Sequence, residues 1–177
     1  MSTINLNDWQ LKFLFLFLSV MDFIIKRTTA NDEDFRLLVK ALDHELWIEL
    51  QDDQATYDQY NIVTGIPTAV VLYYDYKPVA CGCFKKFDEN TVEIKRMFVQ
   101  KDQRKKGLSK KILTELEQWA KELNYNYAVL ETSIHFQAAR NLYSSNDYKI
   151  IENYAPYIGL EESVCMMKEL KGNFKFS

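Results

Sequence analysis

The stretch from Glu93 to Leu123, EIKRMFVQKDQRKKGLSKKILTELEQWAKEL, determines how the rest of the sequence is interpreted. It reads as a strand, a basic loop and a helix that begins at Gly107. The first backbone N–H groups of such a helix have no intrahelical partner, and the helix dipole favours an anion beside them. Glycine at the entrance allows close approach, because a Cβ there would hold a phosphate away from the backbone. The segment therefore predicts a phosphate site.

Positive charge is concentrated in the same segment. Residues 95–111 contain eight basic residues against one acid, a net charge of +7, whereas the whole chain carries −3. The basic residues are Lys95, Arg96, Lys101, Arg104, Lys105, Lys106, Lys110 and Lys111. A positive island on an otherwise acidic protein suits a compact polyanion such as a nucleotide cofactor better than a long nucleic acid. A solvated basic helix end remains the alternative, and neither a Walker loop nor a GxGxxG motif is present.

Composition is that of an ordinary globular protein. The 177 residues are 47% hydrophobic and 27% charged, with five glycines and three prolines, which excludes a disordered chain, a collagen and a disulfide scaffold. Three cysteines cannot all pair, so we expect reduced thiols, buried as small hydrophobic side chains, and a cytoplasmic location. We expect no metal, because His44 and His135 are remote from each other and from Cys81 and Cys83.

The first 20 residues form an apolar extension. Residues 11–25 are nearly all apolar, interrupted by Lys12 and Asp22. The run is too short to span a bilayer comfortably, and it lacks the basic start and the cleavage site of a secretory signal. We expect residues 1–20 to pack as a helix or to be dispensable, with membrane attachment as the alternative. Residues 21–177 are expected to form a single domain.

From Asp22 onward the pattern predicts one mixed α/β unit. Strands are predicted at residues 23–29, 68–74, 79–87, 91–99, 127–132, 148–151 and 164–167, and helices at 31–50, 107–123 and 137–144. Residues 51–66 are expected to form a short helix and loop, and residues 75–78, DYKP, a hairpin turn. The predicted buried side of the helix that begins at Gly107 consists of Leu108, Ile112, Leu113, Leu116, Trp119, Ala120 and Leu123.

Four segments resemble the GCN5-related N-acetyltransferase (GNAT) family. Residues 104–109, RKKGLS, resemble its R/Q-x-x-G-x-G/A pyrophosphate loop. Residues 130–151, LETSIHFQAARNLYSSNDYKII, resemble its later strand, helix and strand, where L-E-T-G precedes A-x-x-L-Y-x-x-x-G-Y. Residues 153–157 and 163–170 resemble the closing strands of a bacterial small-molecule or protein acetyltransferase branch. The resemblance covers residues 22–170. It implies an α/β fold whose central sheet is mostly antiparallel, with six to seven strands splayed at the middle and helices on both faces.

The resemblance also implies a reaction: transfer of an acetyl group from acetyl-CoA to an amine, by direct attack in a ternary complex without a metal. A main-chain N–H, most of all that of Met97, would bind the oxyanion, and Tyr143 would give a proton to the departing thiolate. Glu93 matches the position of the general base in the histone-acetylating members. The implied cofactor-binding residues are Met97, Phe98 and Val99 on a bulged strand, followed by Arg104, Lys105, Lys106, Gly107, Leu108, Ser109 and Lys110.

Four positions depart from the family's pattern. Ser109 replaces a Gly or Ala, and as a small residue it preserves close approach. Ser133 and Asp147 stand where the family usually has Gly, and Asp tolerates a left-handed turn better than most residues. Phe136 stands where Gln or Asn is common, which removes a polar contact to the cofactor.

Each site residue has a structural alternative. Tyr143 could be a core aromatic, and Glu93 a member of a cross-strand ion pair, with a chain of water molecules as the base. His135 is an alternative proton carrier, whereas His44 is expected to be exposed in mid-helix.

Other functions and the acceptor also remain open. A non-catalytic acyl-CoA sensor on the same fold is one alternative. Nucleic-acid binding is another, which the lack of an aromatic-rich basic face disfavours. Tyr154, Tyr157 and the pair Asp52 and Asp53 could shape an acceptor pocket that prefers cationic amines. The sequence leaves open which small-molecule or peptide amine is acetylated, and the oligomeric state, a homodimer included.

Overall fold

The structure, a computed structural model, describes residues 23–50 and 65–170. The predicted extension at residues 1–20 and most of the predicted helix and loop after residue 50 lie outside these ranges. The strands are β1 (Phe23–Thr28), β2 (Thr68–Tyr74), β3 (Lys77–Lys86), β4 (Thr91–Val99), β5 (Tyr127–Ser133), β6 (Lys149–Ile150) and β7 (Ser163–Glu169). The helices are α1 (Glu33–Leu50), α2 (Leu108–Glu122) and α3 (Gln137–Ser144), and Lys101–Gln103 forms a short 3-10 turn.

The described strands form one sheet in the order β1-β2-β3-β4-β5-β7-β6. Neighbours are antiparallel except for β4 and β5, which run parallel. The β4–β5 register pairs only residues 91–93 with residues 127–129, whereas β5 continues beside β7 to its end. The two strands therefore diverge after Glu93. This arrangement confirms the expected mostly antiparallel sheet that is splayed at its middle.

Helices cover both faces of the sheet, as expected. Val70 and Val71 on β2 show the division, because successive side chains of a strand point to opposite faces. Val70 belongs to the core under α2, with Ile112 and Leu116. Val71 belongs to the core under α1, with Phe35 and Leu38.

Local sequence signals explain two of the element boundaries. Asp32 caps the N-terminus of α1, because its Oδ1 accepts a hydrogen bond from the backbone N–H of Phe35 at 3.0 Å. Asp75 and Tyr76 both have positive φ, 49° and 57°, and form the two-residue turn between β2 and β3. Two left-handed residues suit a tight hairpin, because that turn matches the twist of the strands beside it.

The predicted buried face of α2 is confirmed except at its end. Leu108, Ile112, Leu113, Leu116 and Ala120 are buried, and Trp119 packs partly against the same core. The prediction for Leu123 was wrong: it follows the last helical residue and is 49% exposed. Glu117 is buried instead, and its Oε2 lies 2.6 Å from Lys168 Nζ on β7.

Strand β4 contains a bulge opposite Gly82 of β3. Cys81 pairs with Phe98 and Cys83 pairs with Lys95, so one residue of β3 faces two residues of β4. Arg96, the first of these two, has φ +58°. Gly82 allows the strands and α2 to meet here, because a Cβ on it would lie 2.7 Å from Met97 Sδ and 2.8 Å from Ile112 Cγ2.

We expect Gly82→Ala to lower the free energy of unfolding by about 1–3 kcal/mol, the usual cost of forcing an extra carbon into a packed core. The added methyl must displace side chains on both β4 and α2. Urea unfolding followed by circular dichroism measures the change. A denaturation midpoint equal to that of the wild type would contradict this prediction, because it would show that the bulge accommodates the methyl group with no loss of stability.

Candidate active site

A groove of about 640 Å³ opens where the sheet splays. Leu42 and Leu46 of α1 form one wall, and the start of α2 and the inner face of α3 form the others. Met97, Phe98 and Val99, the end of β4 after its bulge, also line it. The groove therefore brings residues 97–99, which were expected to contact a cofactor, together with the start of α2 and with α3.

The N-terminus of α2 offers free backbone donors at one end of the groove. Gly107 precedes the helix with φ +75°, and no side chain of the described residues caps it. The N–H groups of Leu108, Ser109 and Lys110 precede the first intrahelical bond, which runs from Lys111 N–H to the Gly107 carbonyl. A Cβ on Gly107 would meet no protein atom within 4 Å, so the space beside it is open. This geometry fits an anion such as a diphosphate.

The basic loop before α2 is partly neutralised within the protein. Arg104 donates from Nε to the Val99 carbonyl at 3.0 Å, and its Nη2 forms an ion pair with Glu45 of α1. Lys106 donates to Gln103 at 2.8 Å, and its Nζ lies 5.5 Å from the centre of the Tyr74 ring. Arg104, Lys105, Leu108 and Ser109 line the groove, whereas Lys106, Gly107 and Lys110 are absent from its walls. The basic residues predicted to form one positively charged patch are thus divided between the wall of the groove and the outer surface.

Tyr143, on α3, also lines the groove. Its side chain is 6% exposed, and its ring packs edge-on against Tyr148 with centroids 5.8 Å apart. Burial, with a smaller effect of the Glu131 carboxylate, raises the pKa of Tyr143. A raised pKa keeps the phenol protonated, which is the state that a general acid needs. Tyr143 is therefore both a core aromatic and a residue of the groove wall.

Glu93 is buried in ion pairs rather than exposed in the groove. It is 2% exposed, and its Oε2 lies 2.9 Å from Nζ of Lys85, its register partner on β3. Its Oε1 lies 3.4 Å from Lys95 Nζ on the same strand. This is the cross-strand ion pair that the sequence left open as the alternative.

Two tyrosines from the segment between β6 and β7 complete the surroundings of Glu93. The hydroxyls of Tyr154 and Tyr157 each donate to its Oε1 at 3.3 Å, and Lys95 donates to the Tyr157 hydroxyl at 2.8 Å. Burial raises the pKa of both tyrosines and lowers that of Lys95, and the Glu93 charge raises all three. Both tyrosines thus reach the place where β4 and β5 diverge. Asp52 and Asp53 lie outside the described residues.

The remaining predicted residues fall at the edges of the site. His135 lines the groove, and its Nε2 lies 3.3 Å from Glu162 Oε1. Phe136 immediately precedes α3 and also lines the groove. Asp147 has φ +70°, the left-handed conformation expected where the family has glycine. His44 is exposed on α1, as expected.

The three cysteines are free and buried, as the sequence predicted. Burial raises the pKa of Cys83 to about 12 and that of Cys165 to about 11, and it also raises the pKa of Cys81 well above its ordinary value. Within residues 23–50 and 65–170, no group of three or more His, Cys, Asp and Glu could hold a metal ion. In the same ranges, no helix combines the length and the apolar character needed to cross a membrane.

Sequence reasoning missed the acidic partners on α1. Asp43 pairs with Arg96 at 2.7 Å and Glu45 pairs with Arg104, so two basic residues of the site contact one helix. It also missed Lys85 as the partner of Glu93. The only available signal was the complementary charge of α1 and of the basic window, which does not specify pairs.

Comparisons with known proteins agree with this geometry. The model of the acetyltransferase (GNAT) family matches residues 32–148. The uncharacterized N-acetyltransferase YsnE of Bacillus subtilis is 34% identical over 92 residues, which are 51% of this chain and 61% of that protein. Probable N-acetyltransferase 14 of Xenopus tropicalis is 32% identical over 117 residues, 64% of this chain and 55% of that protein. The matches thus span less than two thirds of these relatives.

Solved structures give the same result for the fold. A candidate acyl-CoA N-acyltransferase from Klebsiella pneumoniae superposes with a TM-score of 0.72 at 29% identity, covering 84% of this chain and 98% of that one. The PaiA N-acetyltransferase of Thermoplasma acidophilum, solved in complex with coenzyme A, superposes with a TM-score of 0.61 at 16% identity, covering 84% and 99%. At that identity the second likeness concerns the fold alone. By its sequence match and its splayed sheet, the chain belongs to the acetyltransferase (GNAT) family.

Proposed function

We propose that this chain transfers an acetyl group from acetyl-CoA to an amine acceptor. The proposal is carried by one observation: a single groove joins the uncapped N-terminus of α2 to Tyr143. The same groove is lined by the start of α2, which suits a diphosphate, by the Tyr143 side chain, and by residues 97–99 at the end of β4. Membership of the family supports CoA as the acyl carrier.

The chain's own residues fit such a cofactor. The N–H groups of Leu108, Ser109 and Lys110 would donate to the diphosphate, with Arg104 and Lys105 supplying positive charge. Arg104 must then exchange its Glu45 carboxylate for a phosphate. Lys106 would contribute only to the surrounding field, because its ammonium lies over Tyr74. The main chain of residues 97–99 would run beside the pantetheine arm, where β4 has no neighbour on the β5 side.

The reaction consists of one displacement at the thioester carbon. The lone pair of the neutral amine forms the C–N bond, and the C–S bond breaks with its electron pair on sulfur. The Met97 N–H would bind the oxyanion, and Tyr143 would give its proton to the CoA thiolate. The nitrogen loses its second proton to solvent after the attack, and the Tyr143 phenolate takes a proton back from solvent, so the products are an acetamide and CoA. An alkylammonium has a pKa near 10.4, so the amine must first lose a proton.

We propose that Glu93 accepts the proton of the alkylammonium indirectly, through a hydroxyl group or water molecules that lie between them. The Glu93 carboxylate is buried and contacts two ammonium groups, so an amine in the groove cannot reach it directly. Tyr154 is partly exposed and donates to the carboxylate, which makes its hydroxyl, or a chain of water molecules, the route for the proton.

Binding of acetyl-CoA tests the first half of the proposal. At a hundredfold excess over its dissociation constant, the ligand should stabilise the fold by about 2.7 kcal/mol. In a chain of this size that corresponds to a rise of roughly 5–10 °C in melting temperature. ADP, which has a diphosphate but no pantetheine arm, is the control and should act less strongly. If neither CoA nor acetyl-CoA raises the melting temperature, the proposal fails.

A non-catalytic acyl-CoA sensor is the second candidate, and the closed surroundings of Glu93 favour it. Release of CoA against a panel of small amines and peptides separates the two. The transferase releases CoA with at least one acceptor, whereas a sensor is stabilised by acetyl-CoA and releases none.

A further inference from the structure

The bulge in β4 requires a conformation that the sequence does not favour. Arg96 has φ +58°, the left-handed region that a side chain bearing a Cβ rarely adopts. Such a residue persists only where the surrounding structure holds it. The contacts of Arg96 therefore determine whether β4 keeps its bulge and how residues 97–99 meet the groove.

Two of the contacts of Arg96 reach it from different elements of the fold. Its Nη1 lies 2.7 Å from Asp43 Oδ1 on α1, and its side chain is only 7% exposed. Its carbonyl accepts the Cys81 thiol from β3 at 3.6 Å. The Arg96 end of this ion pair is largely buried, whereas the Asp43 side chain is 36% exposed, so solvent screens the pair in part.

Asp43 lies on the helix that also forms the groove wall. Leu42 and Leu46 line the groove on either side of it in sequence, and Glu45 holds Arg104 of the phosphate loop. The position of α1 is thus connected through Asp43 to the backbone of the bulge. The next residue after Arg96 is Met97, whose N–H we assign to the acetyl carbonyl.

We propose that Asp43 is a positioning residue: by clamping Arg96 it holds the β4 bulge and aims the Met97 N–H at the acetyl group. The inference rests on the proposed function for its ligand. Without the carboxylate, Arg96 relaxes towards extended backbone and the N–H turns away from the groove. The phosphate end of the groove, on α2, is not affected.

The test compares acetyl-CoA with CoA by calorimetry. Asp43→Asn removes the charge with little change of shape, and we expect it to reduce the preference for acetyl-CoA over CoA about fivefold, the loss of one hydrogen bond. CoA itself should bind with nearly wild-type affinity. Glu33→Gln, an exposed acid on the same helix, is the matched control and should leave both affinities unchanged. Equal weakening of both ligands by Asp43→Asn would overturn the proposal.

A rescue variant separates the clamp from general stability. Glycine adopts positive φ without steric cost, so Arg96→Gly should keep the bulge without Asp43. In the Asp43→Asn/Arg96→Gly double variant the preference for acetyl-CoA should therefore return towards that of the wild type. A double variant as poor as Asp43→Asn alone would overturn the proposal, as would loss of the preference in Arg96→Gly alone.

A spectroscopic measurement distinguishes failure of the clamp from failure of the proposed function. The three-bond coupling between the amide and α protons of Arg96 reports φ directly. We expect it to rise in Asp43→Asn to the large value of an extended residue, and an unchanged coupling would overturn the clamp. If the wild type binds no acetyl-CoA, the proposed function fails, while this coupling still decides whether Asp43 holds the bulge.

Discussion

Tyr143→Phe should lower the rate of CoA release about a hundredfold while acetyl-CoA binds as before. The change removes only the hydroxyl, and general acid catalysis of this kind contributes about 10²- to 10⁴-fold. Because burial raises the pKa of Tyr143, the wild-type phenol stays protonated in alkaline solution. We therefore expect no decline of the wild-type rate towards pH 10 from loss of the Tyr143 proton. The pH profiles of the wild type and of Tyr143→Phe should have the same shape in this range. Steady-state kinetics and calorimetry measure the two effects separately.

Tyr148→Phe is the matched control for this prediction. Tyr148 packs against Tyr143, but its buried hydroxyl interacts with the Glu117 carboxylate, and Tyr148 does not line the groove. Removing the hydroxyl should therefore leave the rate unchanged. Equal rates for Tyr143→Phe and the wild type would exclude Tyr143 as the acid.

Gly107→Asn should weaken CoA binding by about 10- to 100-fold, the range expected when one hydrogen bond to a charged group is lost. Asparagine tolerates the φ of +75° better than most residues, and its Cβ would meet no protein atom within 4 Å. The fold should therefore survive, with a melting temperature close to that of the wild type. The new side chain instead occupies the space in which we place the diphosphate. Calorimetry with CoA and thermal unfolding measure both quantities.

Gly159 provides a control with the same backbone conformation. It has φ +81°, also has open space beside it, and lies between β6 and β7 rather than at the start of α2. Gly159→Asn should introduce similar backbone strain without any change in CoA affinity. If Gly107→Asn binds CoA as tightly as Gly159→Asn does, the diphosphate does not lie against Gly107.

Elements with strong local signals could be predicted from the sequence. The bounds predicted for β4 and α3 agree with the structure, because the β-rich run and the short helix are limited by clear turns. Leu123 was misplaced because the 3.6-residue periodicity continues past the point where α2 stops. Splaying of the sheet came from the resemblance, since no local pattern specifies which strands separate.

The site could be predicted only where one segment supplies it. The start of α2 is local, so Gly107 and its free N–H groups could be inferred from a few residues. The ion pairs Arg96–Asp43 and Arg104–Glu45 join residues more than 50 positions apart, and their partners depend on how α1 packs. Charge composition permits many such pairs and selects none. For the same reason, the sequence could not decide whether Glu93 is exposed or paired.

The burial of all three cysteines has a practical consequence for enzymology. Chromogenic disulfides that detect free CoA react with thiolates, and the native chain offers only buried thiols with raised pKa values. The release of CoA can therefore be followed continuously, because the thiols of the folded protein add little to the signal. Denaturation during the measurement is detected as additional signal, because unfolding exposes three reactive thiols per chain.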